Sequence, residues 1–474
     1  MSKLLNGHIQ EESAATLLDA ASEHAPNKDA PELSPPLSSF ITEGDPSLIP
    51  PEHPYRTLVL CFDGTGDQFD EDNSNIVQLF TLLKKDDEDV QMVYYQAGIG
   101  TYTSPNIATP LMAKLSKTLD EMVAWNLDRH VMDGYEFLMQ NCRQSRGYIC
   151  IFGFSRGAYT ARALAGVIHK VGLLPACNHQ QVPFAYKMFK RADEMGWKQS
   201  NAFKKAFSVD VDIEFIGVWD TVSSVGLIPR KLPFTTSNTI VRTFRHAIAL
   251  DEHRAKFQAN HWNRPNLKEE TLGVSDRHLK AHKKHHHSTT PRLKALERND
   301  TDVFPYQVWF AGCHRDIGGG SVNNDTQHSL ARIPLRWMIR EYFRTNTGII
   351  SDCEGLQALG LDPGVLYPEV LPQDHDMHDL VSPIYDQRSL APSWWLLEIW
   401  PMQDRHQKSD DSWASRLRFN LGRGRKTPKQ KRGVLVHKGV KMRMEALHSN
   451  GTKYVPKALE FEQVVQAGNV QWVD

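Results

Sequence analysis

Gly147 to Val167 reads GYICIFGFSRGAYTARALAGV. Tyr148 to Phe152 is a run of apolar, β-favouring residues that enters the pentapeptide Gly153-Phe154-Ser155-Arg156-Gly157. Ala158 to Val167 follows as a helix-forming run. Strand, sharp turn and helix around G-x-S-x-G make the pattern of a nucleophile elbow. So tight a turn needs small residues beside the serine, which Gly153 and Gly157 supply while easing the strained dihedrals. Ser155 then stands at the carboxyl end of a strand and the amino end of a helix, where backbone N–H groups can receive a developing oxyanion. The competing reading is a structural βα turn with an incidental serine.

Outward from the elbow, strand-like and helix-like runs alternate. Arg56 to Phe62 (RTLVLCF) predicts a buried strand ending in the turn-rich loop Asp63-Gly64-Thr65-Gly66-Asp67. Asn75 is positioned to cap an amphipathic helix over IVQLFTLLKK. Gln91 to Gln96 predicts a strand, and residues 111–142 a long helical region broken near Gly134. Asp212 to Trp219 (DIEFIGVW) predicts a strand running into Asp220 and a loop to Gly226. Phe244 to Phe257 (FRHAIALDEHRAKF) predicts a short helix or turn rich in polar groups. Tyr306 to Ala311 predicts a strand leading into Gly312-Cys313-His314-Arg315-Asp316-Ile317-Gly318-Gly319-Gly320, with a helix over 332–343. Such spacing predicts an α/β protein: a mostly parallel sheet flanked by crossover helices, with insertions and a C-terminal extension. In such sheets sites form outside the carboxyl ends of the strands. The loops 63–67, 153–157, 220–226 and 312–320 all leave strands at that edge.

Three segments are predicted. Residues 1–54 are polar and proline-rich and read as a disordered lead-in. Residues 55–345 read as the catalytic domain, interrupted at 263–299 by a basic, histidine-rich insertion. Residues 346–474 read as an extension or subdomain packed on it, including a basic loop at 416–432. The apolar run WWLLEIWPM, 394–402, is expected to pack as core, with an acyl channel or a membrane interface as alternatives. With 40% hydrophobic residues the chain can bury a sizeable core, and its net charge of -1 gives no global pull toward nucleic acid. The six cysteines show no C-x-x-C spacing, so a reducing compartment is expected. There is neither a secretory-signal pattern nor a run of about 20 apolar residues. The expectation is a soluble, cytoplasmic protein without integral membrane segments, cofactor or metal, with peripheral membrane contact left open.

A serine hydroxyl needs a base to take its proton, and the base needs a carboxylate to fix its tautomer. Ser155, Asp220 and His314 fit the chain order Ser, Asp, His found in α/β-hydrolases, and Asp220 and His314 each follow an apolar strand. His246 is the rival base. For the oxyanion the N–H of Arg156 is one donor, and Gly64 or Thr65 the source of a second. Asp63 would oppose a nearby oxyanion and is assigned to anchoring its loop by accepting hydrogen bonds; Asp316 is assigned the same task around His314.

The set CFDGTGDQF, GFSRGAYTARALAG, GVWDTVSSVG, FRHAIALDEHRAKF and WFAGCHRDIGGG resembles the Tle-type catalytic domain of type VI secretion phospholipase effectors, in its fungal-type form. The motifs span about Arg56 to Phe343. The resemblance implies an α/β-hydrolase fold, ester hydrolysis, a lipid or phospholipid acyl ester as substrate, and Ser155, Asp220 and His314 as the triad. One departure is Asp67, where the family often has Asn, which places an extra charge near the site.

Two rivals stand. A metal-dependent phosphohydrolase would use Asp63, Asp220 and Asp316, but an aspartyl-phosphate enzyme of the DGTG kind needs a second carboxylate where Cys61 stands. A non-catalytic binding protein on a hydrolase fold is the other.

Overall fold

The structure is a computed structural model describing residues 47–51, 55–99, 112–142, 147–191, 193–222, 232–236, 238–262, 306–373, 377–407, 413–428, 433–447 and 451–474. The predicted lead-in, almost all of it, and the insertion at 263–299 lie outside the described residues, as does the end of the loop after Asp220.

Eight strands form one sheet: β1 (Arg56–Phe62), β2 (Gln91–Gln96), β3 (Gly147–Phe154), β4 (Ile213–Trp219), β5 (Val241–Ala249), β6 (Tyr306–Phe310), β7 (Val434–His437) and β8 (Val470–Val473). Their order is β8-β7-β6-β5-β4-β3-β1-β2, and every neighbouring pair is parallel. Parallel strands bury both faces, which is why RTLVLCF and GYICIFGF read as unbroken apolar runs. The period-2 alternation of strand side chains divides them between two cores. Leu58, Leu60, Phe62, Ile149 and Ile151 pack with helices α2 (Met112–Asn141), α3 (Ser155–Val171) and α4 (Val182–Lys190). Val59, Cys61, Cys150, Phe152 and Phe154 pack on the other face with α1 (Asn75–Leu82) and, C-terminal to β6, Arg332–Arg344.

Four local expectations are corrected. Helix α1 is capped by Ser74, whose Oγ accepts from Val77 N at 3.3 Å; Asn75 instead donates to the carbonyls of Ile317 and Ala331. Helix α2 runs unbroken through Gly134, because the glycine permits close packing: a Cβ there would lie 2.7 Å from the Phe62 ring. The segment expected as helix or turn at 244–257 begins as strand β5, buried throughout except Arg242. Its polar residues hid the strand because each has a buried partner: Arg245 pairs with Glu341 at 2.5 Å, and His246 accepts from Thr221 N at 3.0 Å. The run 394–402 is not core. Trp395, Leu396, Ile399 and Trp400 are all exposed, and only Glu398 of the helical turn Trp395–Glu398 is fully buried.

Candidate active site

Parallel pairing brings the carboxyl ends of β1, β3, β4 and β6 to one edge. At the end of β3, Ser155 opens α3 with φ 57°, a positive value that costs a non-glycine residue energy. The two glycines of the pentapeptide are needed on steric grounds. A Cβ on Gly153 would sit 2.6 Å from Ala158 Cα, and one on Gly157 would sit 2.3 Å from the carbonyls of Phe62 and Asp63. Gly157 therefore lets the elbow helix rest directly on the end of β1.

His314, at the start of the short helix after β6, reaches both other members of the set. Its Nε2 lies 2.8 Å from Ser155 Oγ and its Nδ1 2.5 Å from Asp220 Oδ2. All three side chains are buried, Ser155 with 5% exposure. The His314 N–H donates to Glu252 Oε2 at 3.2 Å, and Glu252 is itself paired with Arg254. Phe154 and Phe257 flank the imidazole, with ring centroids at 4.8 and 4.7 Å. Burial lowers the His314 pKa below its usual value, and the Asp220 hydrogen bond and charge offset only part of that. His246 does not reach Ser155; its ring lies within β5, where it receives the Thr221 N–H beside Asp220.

Asp220 has a second partner that the sequence reading did not find. Arg425, in the basic loop after residue 416, donates Nη1 to Asp220 Oδ1 at 2.5 Å and Nη2 to Oδ2 at 2.9 Å. Its remaining donors meet the Ala249 and Phe257 carbonyls, so the whole guanidinium fork is engaged. Burial alone would raise the Asp220 pKa, but Arg425 and His314 together hold the carboxyl far below the usual carboxylate range.

The loop after β1 packs on the elbow. Asp63 accepts from Ser74 Oγ at 2.6 Å, Gly64 N at 2.8 Å and Tyr95 Oη at 2.8 Å. The Gly64 N–H is thus already spent on Asp63. Thr65 differs: its Oγ1 is buried and has no hydrogen-bond partner among the described residues. A buried hydroxyl without a partner is costly in a native fold unless a ligand or water completes it. Asp67 lies against Gly64 and pairs with Arg315 at 2.7 Å. Burial pushes its pKa up to about 7, opposed by Arg315. Asp316 accepts from the N–H groups of Cys313 and Tyr385, and burial pushes its pKa up to about 7. The carboxylates of the metal alternative are therefore engaged separately, and among the described residues no three or more His, Cys, Asp or Glu side chains are grouped to hold a metal ion.

An eight-stranded parallel α/β sheet with a serine elbow at its carboxyl edge is the arrangement of the α/β-hydrolase class. Within it the chain belongs to the family "T6SS, Phospholipase effector Tle1-like, catalytic domain", whose family model matches residues 56–341. It is 37% identical over 235 residues to the uncharacterised protein YEL023C of Saccharomyces cerevisiae, a match covering 46% of this chain. The chain spans about a third, 34%, of that relative's length. Two solved structures are similar at low level. An uncharacterised protein from Pseudomonas aeruginosa has TM-score 0.38 and 17% identity, covering 65% of this chain and 49% of that one. The Tle1 effector bound to the VgrG spike of the type 6 secretion system has TM-score 0.27 and 16% identity, covering 64% and 61%.

Proposed function

We propose that the protein hydrolyses carboxylic esters of lipids, with phospholipid acyl esters as the leading substrate class, by a Ser155–His314–Asp220 triad. The observation that carries this reading is the continuous hydrogen-bond relay from Asp220 through His314 to Ser155. Membership of a phospholipase family supports the lipid ester.

In the acylation step His314 Nε2 takes the Ser155 proton as Oγ attacks the ester carbonyl carbon. The new negative charge falls on the carbonyl oxygen. The Arg156 N–H, in the first turn of α3 where helical N–H groups lack internal partners, is one donor to it. The Thr65 N–H and hydroxyl are the second, in preference to the occupied Gly64. Collapse breaks the ester C–O bond, and His314 returns the proton to the leaving alcohol. Water, deprotonated by His314, then releases the acid and restores Ser155. Asp220 stays ionised throughout and holds Nδ1–H in place.

The test is labelling by a fluorophosphonate probe together with turnover of aryl esters and phospholipid vesicles. Wild type should label and Ser155→Ala should not. Equal labelling of both would sink the hydrolase reading, and a chelator-sensitive activity indifferent to Ser155→Ala would favour the metal alternative. Turnover of short aryl esters without any phospholipid turnover would retain an esterase and remove the lipid assignment.

A further inference from the structure

A cavity of about 290 Å³ lies against the helix Arg332–Arg344, and neither the Ser155–His314–Asp220 set nor the 63–67 loop lines it. A spacing of four puts Arg332, Arg336 and Arg340 on one helix face, and all three line the cavity. Leu335, Met338, Ile339 and Tyr342 belong to the core instead. Gly360, Leu361 and Gln373 form another wall, joined by His437 and Asp474 from the ends of β7 and β8. The charges around it do not balance. Asp379 pairs with Arg336 at 2.6 Å and Arg332 at 3.9 Å, and Asp474 pairs with Lys438 at 2.8 Å. Glu341, beside Arg340, is taken by Arg245 and Arg344. Arg340 is left over. It is 9% exposed, and among the described residues it makes one hydrogen bond, Nη2 to the Leu371 carbonyl at 3.0 Å, and no ion pair. A guanidinium has five donors, so most of these are unmatched by protein. Burial and then Arg344 lower the Arg340 pKa, against the pull of Asp474 and Glu341. Two neutral groups of the wall are incomplete as well: Trp337 Nε1 and Gln373 Oε1 are buried without a partner among the described residues. Gln373 Nε2 donates to the Gly360 carbonyl at 2.9 Å, which fixes the amide and leaves Oε1 as a true acceptor.

We propose that this cavity is a binding site for a phosphate monoester of a small hydroxylated molecule. Water can complete a buried dipole, but a buried cation short of counter-charge calls for an anion. The four cations Arg332, Arg336, Arg340 and Lys438 face the two carboxylates Asp379 and Asp474, an excess of two positive charges. A phosphate monoester, with a charge of about -1.5 to -2 near neutral pH and three acceptor oxygens, matches that excess better than a carboxylate. The Arg340 fork suits two of those oxygens, and the Trp337 N–H is a further donor. Gln373 Oε1 needs a donor in return, which a phosphate dianion lacks and a neighbouring hydroxyl supplies. The volume stands at the lower end of small-ligand pockets, about 300–1,000 Å³, and suits a body of glycerol size. A soluble ester and the headgroup of phosphatidate present the same chemistry.

Calorimetric titration of the full chain with glycerol 3-phosphate, inorganic phosphate and glycerate, beside sedimentation with phosphatidate-containing vesicles, tests the proposal. Wild type should bind glycerol 3-phosphate more tightly than inorganic phosphate or glycerate. Ser155→Ala should bind it equally, which separates this cavity from the elbow. Arg340→Gln should lose about tenfold or more in affinity, and Arg340→Lys should recover part of it. Gln373→Leu should narrow the gap between glycerol 3-phosphate and inorganic phosphate. Without ligand, Arg340→Gln should melt at or above the wild-type temperature, because it removes a cation short of counter-charge, and glycerol 3-phosphate should no longer raise its Tm. Tighter capture by phosphatidate vesicles than by the soluble ester would assign the ligand to a lipid headgroup, and the reverse to a soluble metabolite. No binding by wild type, wild-type affinity in Arg340→Gln, or glycerate or inorganic phosphate bound as tightly as the ester overturns the proposal. So does an Arg340→Gln protein that melts far below wild type, since the arginine would then be structural.

Discussion

Arg425 and Asp220 share a buried ion pair with every oxygen and every guanidinium nitrogen engaged. Breaking such a pair by removing one partner costs about 3–5 kcal/mol because a charge is left buried alone. Arg425→Ala should therefore lower stability by about that amount, read by denaturant titration. In whatever folds, it should cut kcat more than KM for an aryl ester. Arg425→Lys should rescue only part of this, since an ammonium cannot make the two-pronged contact. Two groups set the pH profile. His314 must be neutral to accept the Ser155 proton, and burial holds its pKa below the ordinary histidine value of about 6.5. The acid limb of kcat/KM should thus lie below pH 6.5, with activity lost as pH falls through it. Asp67 ionises as pH rises through about 7 and then sets a negative charge beside the Gly64–Thr65 loop. Activity should decline there, and Asp67→Asn should flatten that decline while leaving the acid limb unchanged. Ser155, Asp220 and His314 could be picked out from sequence because each ends an apolar strand. Arg425 could not: it sits in a glycine-containing basic loop, 205 residues from its partner, where it reads as one more solvated charge.

The elements were readable where burial imposed a pattern and obscure where pairing replaced it. Strands β1, β2, β3, β4 and β6 announce themselves as apolar runs bounded by turn residues. Strand β5 carries Arg245 and His246 into the interior, and only their partners Glu341, Thr221 and Gln307 make that tolerable. Gly134 looked like a helix breaker because composition cannot tell conformational freedom from closeness of approach. The same closeness makes the elbow sensitive. Gly157→Ala would force a methyl group against two backbone carbonyls that cannot rotate away. It should cost about 1–3 kcal/mol by overpacking and shift α3 relative to β1. Fluorophosphonate labelling should fall sharply even where circular dichroism is preserved.

At the scale of the molecule, sheet and site draw on both halves of the chain. The family match ends at residue 341, yet β7 and β8 lie further on, with β7 pairing against β6. Asp251, in the loop after β5, binds Gly312 N on one side and the Tyr454 hydroxyl and Lys457 N on the other. A chain ended after residue 345 would bare the edge of β6 and leave Asp220 without Arg425. We expect that truncated protein to aggregate or to unfold without a cooperative thermal transition, and to take up no fluorophosphonate. A cooperative melt with labelling intact would show the remainder to be dispensable.

The Asp220–Arg425 pair also sets a clock on synthesis. Asp220 leaves the ribosome well before Arg425, the residue that neutralises it, and contacts of such sequence separation form late. Until then the proposed Ser155–His314–Asp220 set is incomplete in the growing chain. Nascent chains stalled with Arg425 still inside the ribosome should ignore the probe, and chains stalled with all of residues 1–474 outside it should take it up.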